Sequence, residues 1–143
     1  MMTIKGFFCA VLLLLALTLT GCASNEESVY QQLGGQQKVA EMVDNFIGEI
    51  EFDPIMFAYF KDSNIERFRE KLIEHLCFLT GGGCRYTGDT MRQVHTGMNI
   101  PESDFNHGVD LFIKAMDKAN IPHRIQNKIL ATIVPSRKEI IYL

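Results

Sequence analysis

Thr80-Gly81-Gly82-Gly83-Cys84-Arg85-Tyr86-Thr87-Gly88-Asp89-Thr90-Met91-Arg92-Gln93-Val94-His95 is the stretch on which the reading of this chain turns. Three consecutive glycines leave the backbone free to take positive φ, so they end an apolar helical segment with a change of direction. Tyr86-Thr87-Gly88 then reads as a turn. A short helix that carries His95 follows. A single histidine on a short helix is most often a surface or packing residue, so residue type alone leaves its role open.

Working outward, Asn64 reads as the cap of a helix over residues 65–79. Its apolar stripe is Phe68, Leu72, Leu76 and Leu79, with His75 on the shoulder. Upstream, Asp53-Pro54 opens a shorter element, a capping carboxylate before a first-turn proline. The aromatic run Met56-Phe57-Ala58-Tyr59-Phe60 that follows is core material. Val39, Met42, Val43, Phe46, Ile47 and Ile50 recur at helical spacing, with Glu41, Asp44 and Glu49 on other faces. Tyr30-Gln31-Gln32-Leu33-Gly34-Gly35 is a helical turn closed by another glycine break.

Downstream, Ile100-Pro101-Glu102-Ser103-Asp104 starts a helix with its acidic residues where the helix dipole favours them. Phe105, Val109, Phe112 and Met116 share one face of it, and Asn120-Ile121-Pro122 breaks it. A last helix carries Ile125, Ile129, Ile133 and Ile140, and Pro135 is predicted to kink it. His107 and His123 follow helix starts and read as surface residues. No segment alternates as a strand does. The chain is expected to be all-α, with four substantial helices.

The two glycine breaks, Tyr86-Thr87-Gly88, Met91 and Gln93-Val94-His95, in that order, resemble the truncated haemoglobins of the first group. The resemblance runs from about Val29 onward. It implies a two-over-two helical sandwich around haem b, with His95 as the axial ligand of the iron. Such an iron needs one strong nitrogen and an apolar slot. His95 would bind through one ring nitrogen of a neutral imidazole, the other being oriented by a backbone carbonyl or water. By the same resemblance Phe60 packs on the haem, Met91 lies beneath it, and Phe68, Leu72 and Tyr86 line the pocket. Arg85 and Arg92 are either partners of the propionates or solvated surface charges.

On the distal side the chain departs from much of that family. Ile47 stands where many relatives carry a tyrosine, and Leu72 where they often carry a glutamine; Phe68 is apolar too. A hydrogen bond to a charged acceptor contributes roughly 1.5–3 kcal/mol. Without it the expectation is weaker oxygen retention, faster autoxidation, or a preference for NO and CO. His75 has three readings: a histidine beside the core, a hydrogen-bond donor to the ligand, or a sixth iron ligand.

At the other end, Lys5 precedes an unbroken apolar run over residues 6–19, short for a bilayer span. Leu19-Thr20-Gly21-Cys22 looks like a bacterial lipobox, the alternative being an ordinary secretory signal. The expected division is a signal peptide over 1–21, a tether over 22–28 and a globin domain over 29–143. The domain of about 120 residues is a single unit by length. Acylated Cys22 would become the new N-terminus, anchored by several chains. No aspartate follows Cys22, which favours the outer membrane, with the domain facing the periplasm. Taking Lys5 from the 14 basic residues leaves 13 against 17 acidic, a net of −4, so nucleic acid is not an expected partner.

Cys9 lies in the signal, so Cys77 and Cys84 remain. An even pair in an exported domain is a disulfide candidate, the alternative being two free thiols. Closing so short a loop would stabilise by about 2–3 kcal/mol.

The function that follows is an envelope haem protein reversibly binding O2, NO or CO. The alternatives are an enzyme on the same fold, for NO dioxygenation or peroxide reduction, and a haem-free helical lipoprotein. The apolar distal side counts against the enzyme, and no reductase partner is visible in the chain.

Overall fold

The computed structural model describes residues 26–143; residues 1–25, and with them the expected signal peptide, Cys22 and the first part of the expected tether, lie outside them. Seven α-helices follow in order: α1 (Val29–Leu33), α2 (Gly35–Glu51), α3 (Pro54–Phe60), α4 (Ile65–Leu79), α5 (Met91–His95), α6 (Glu102–Lys118) and α7 (His123–Ile133). A 3-10 turn over Val134–Glu139 comes last. Among the described residues there is no strand, only one isolated parallel bridge between Ile100 and Ile141.

Local chemistry sets most of these boundaries. The Asp53 carboxylate accepts from the Ile55 and Met56 amides at 3.1 and 2.9 Å and starts α3. Asn64 does the same for α4 through the Arg67 amide at 2.9 Å. Ser28 and Gln31 exchange side-chain bonds across the first turn of α1.

α2 is the middle element, packed against α6 on one side and α4 on the other. Val39, Met42 and Val43 of α2 meet Leu76 of α4, Phe112 and Met116 of α6, and Ile125 and Ile129 of α7 in one apolar cluster. Phe46 and Phe112 add an edge-to-face contact with centroids 5.2 Å apart. This is the two-over-two sandwich, with α2 and α4 over α6 and α7.

The glycine breaks meet each other. The Tyr30 amide donates to the Thr80 carbonyl at 2.9 Å, tying α1 to the end of α4. Gly81 and Gly83 take positive φ, 82° and 75°. Gly82 lies against both Tyr30 and the Cys77 sulfur, with no room for a β-carbon. Cys77 and Cys84 are joined by a disulfide, Cα to Cα 5.7 Å. It closes a loop spanning seven positions. Replacing both cysteines by serine is expected to lower unfolding stability by about 2–3 kcal/mol, read as a drop in urea midpoint. An unchanged midpoint would mean the bridge contributes nothing.

The last helix differs from its sequence reading. α7 stops at Ile133, and Pro135 sits at the start of a 3-10 turn rather than at a kink. Proline cannot donate to the preceding turn, so the helical ladder ends and the chain tightens instead of bending. Ile140 therefore does not continue the α7 stripe.

Candidate functional site

α5 has only five residues, too few to persist on propensity alone. A capping box holds its front. The Gln93 amide donates to Thr90 Oγ1 at 3.3 Å, and Gln93 Oε1 accepts from the Thr90 amide at 2.9 Å. The Thr90-x-x-Gln93 spacing that does this is a capping-box signal carried by the sequence itself.

His95 closes α5, half-buried, with Nδ1 2.7 Å from the Met91 carbonyl oxygen. A carbonyl only accepts, so Nδ1 carries a proton, and in the neutral ring that leaves the lone pair on Nε2. That is the tautomer a metal-binding imidazole needs, with its other nitrogen oriented by the backbone.

The facing wall is α4. Phe68, Leu72, His75 and Leu79 follow one face at helical spacing. Leu76 is buried, whereas these four stay only partly covered. Two cavities open along that face. One, of about 280 Å³, is lined by Ile47, Ile50, Phe57, Phe60 and Phe68, with Glu51 and Lys61 among its other lining residues. The second, of about 400 Å³, is lined by His75, Leu79, Tyr86 and Met91 and by residues of the 3-10 turn. Leu72 sits on α4 between Phe68 and His75 and packs against the main core. His95 lines neither cavity; Met91, one turn before it, lines the second.

Phe60 meets Phe68 edge-on, centroids 4.8 Å apart. The Tyr86 hydroxyl donates to the Asp89 carbonyl at 2.7 Å, so it is engaged within its own turn. Its phenol lies over Gly88, where a β-carbon would collide with the ring. On its other side the ring meets His75, centroids 4.7 Å apart. Burial pushes the Tyr86 hydroxyl pKa up and that of His75 down. Both shifts favour the neutral forms, so the two rings meet uncharged across the crevice.

A polar stitch that the sequence did not announce fixes the spacing between the two walls. Glu74 accepts from the Thr87 amide at 3.0 Å and from its hydroxyl at 2.7 Å. Those two bonds, helped by Lys71, hold the Glu74 carboxyl below the usual carboxylate range. Lys71 bonds Thr87 Oγ1 at 2.8 Å as well as Glu70 and Glu74. With the disulfide, these bonds lay the segment after the glycines back along α4. No periodicity reveals such a tie, because its partners lie on different elements.

Of the remaining residues only His107 departs from its sequence reading. Arg85 and Arg92 are both exposed. His107, read as a surface residue, is only half-exposed and binds Asp53 through Nε2 at 2.6 Å, linking α6 to α3. Asp53 thus caps a helix and pairs with a histidine at once. His123 is exposed at the start of α7.

The donor and the walls fit a haem. Ile47, Phe60 and Phe68 at one cavity and Met91 at the other are apolar side chains left partly uncovered, and His95, one turn after Met91, keeps a ring nitrogen unengaged. A flat apolar macrocycle would cover them. The sequence matches the family model of the bacterial-like globins over residues 28–141. A group 1 truncated hemoglobin of Mycolicibacterium paratuberculosis is 30% identical over 79% of this chain and 83% of its own length. The chain is a group 1 truncated haemoglobin. Its fold follows that of the truncated hemoglobin of Tetrahymena pyriformis, with a TM-score of 0.78 over 82% of this chain and all of that one, at 21% identity. The 2/2 hemoglobin of a Synechococcus species, solved in a cyanomet state with covalently attached heme, superposes with a TM-score of 0.74 at 18% identity. It is covered over 98% of its length, and this chain over 80%. As a member of this family the protein is a haem-binding globin.

Proposed function

We propose that this globin holds haem b through Nε2 of His95 and reversibly binds diatomic gas molecules, O2, NO or CO. The observation that carries this is the Met91 carbonyl on His95 Nδ1, which leaves one nitrogen ready to ligate. When bound, the haem would supply an iron able to take up a diatomic gas molecule. The chain's own residues do the rest. Met91, Tyr86 and Leu79 line one part of the crevice, while Ile47, Phe60 and Phe68 give the other pocket an apolar face beside Glu51 and Lys61. Ile47, Phe68 and Leu72 offer no hydrogen bond to a polarised ligand. His75 faces Tyr86 and enters as a neutral ring beside the pocket. These features favour a binder that releases oxygen readily over an enzyme that must hold it. The test is a reversible spectral change on adding and removing oxygen, with only stoichiometric consumption of NO. Sustained NO turnover with a reductant would contradict it.

We also propose that Cys22 is acylated and tethers the domain to the envelope, at the outer membrane. Supporting this, Thr20-Gly21-Cys22 ends the apolar run. Palmitate labelling that survives in a Cys22→Ser variant would overturn it.

A further inference from the structure

The loop that follows His95 is bonded to a distant part of the chain. Leu143 offers its carbonyl to two amides, Gly97 at 3.0 Å and Asn99 at 2.8 Å. The Tyr142 amide donates to the Ile100 carbonyl at 3.0 Å, beside the parallel bridge between Ile100 and Ile141. The segment that delivers residues 141–143 is fixed in turn. Arg137 pairs with Glu102, and its guanidinium lies 5.7 Å from the centre of the Phe105 ring.

These bonds are made by unusual backbone. Tyr142 has φ 54° and Asn99 φ 49°, both in the left-handed region. For a tyrosine that conformation is unfavourable and persists only where the surroundings over-determine it. Tyr142 is 63% exposed, and its ring is anchored through the hydroxyl alone, which accepts from the Glu102 amide at 3.4 Å. What this position supplies is a backbone amide and a left-handed turn that aims the next carbonyl at the loop.

We propose that residues 141–143 are a latch that positions His95. Five residues of α5 cannot hold their own orientation; the capping box fixes the front, and the latch fixes the loop behind the histidine. The imidazole is then presented from a set direction. This rests on His95 being the iron ligand. Tyr142 and Leu143 are positioning residues that act through the loop.

The test compares Tyr142→Pro with Tyr142→Gly in the full-length chain in detergent. Proline removes the amide and forces φ near −65°, whereas glycine keeps the amide and accepts positive φ freely. In the haem-free chain, Tyr142→Pro should speed amide exchange at Gly97 and Asn99 by about tenfold or more. It should also turn the single Nδ1–H tautomer of His95, read from ring nitrogen shifts, into a mixture. In the loaded chain it should shift or broaden the iron–histidine vibration and speed haem loss by about tenfold. Tyr142→Gly and Tyr142→Phe both lose the long hydroxyl contact to the Glu102 amide and keep the backbone amide, so both should match the wild type in all four readings. Unchanged exchange in Tyr142→Pro overturns the latch. Faster exchange with an unaltered tautomer and vibration overturns its action on His95. A wild-type chain that takes up no haem defeats the ligand reading instead, and the haem-free readings then decide the latch alone.

Discussion

Replacing His95 by glycine should increase the rate of haem loss by more than about 100-fold and abolish the five-coordinate ferrous spectrum. Disturbing an outer partner of a metal-bound histidine already costs 10–100-fold in metal affinity, and removing the ligand itself should exceed that. His95 is the only histidine on α5, and its Nδ1 is committed to the Met91 carbonyl. Only Nε2 is lost to the iron. Added imidazole should restore the wild-type ferrous spectrum by filling the space that glycine leaves. Recovery by imidazole separates loss of the ligand from damage to α5, where glycine weakens a helix by about 1 kcal/mol. A variant that keeps haem with an unaltered ferrous spectrum would remove His95 from the site.

The second large effect concerns the opposite wall. Leu72→Gln should slow oxygen release by about ten- to a hundredfold, because a buried donor to a partly charged acceptor contributes roughly 1.5–3 kcal/mol. Leu72 lies on α4 between Phe68 and His75, partly packed on the core and partly uncovered, and the longer glutamine is expected to turn its polar amide away from the core toward the crevice. Leu72→Met is the control, similar in length and without a donor. Rapid mixing of the oxygen-loaded protein with CO reads the rate directly. If wild-type release is already slow and Leu72→Gln leaves it alone, another donor serves the pocket. His75→Leu then shows whether that donor is His75, whose ring rests on Tyr86.

Much of the architecture could be read from the residue order because its determinants are local. Asn64 and Asp53 cap the helices they precede, and the glycines carry the positive φ that the turn after α4 requires. The apolar period of α2 places Val39, Met42 and Val43 in the core without reference to any partner. What the residue order hid is set between elements. Glu74 looks like a solvated face until Thr87 is laid beside it, and His107 looks exposed until α3 brings Asp53 to its ring. Pro135 was misread because one residue type serves both a kink and a helix end, and the packing of the following turn decides between them. The apolar stripe of α4 was legible as a pattern. That the stripe divides, Phe68 and Leu79 lining cavities while Leu72 and Leu76 pack on the core, is set by the neighbouring elements and not by the period.

The most direct test of the central claim is resonance Raman spectroscopy of the ferrous full-length chain, with and without nitrogen-15 histidine, in a His75→Leu background. The account predicts a haem Soret band and an iron–nitrogen stretch that moves on labelling and vanishes in His95→Gly. A colourless chain, or a stretch that labelling moves even after His95 is replaced, would contradict it.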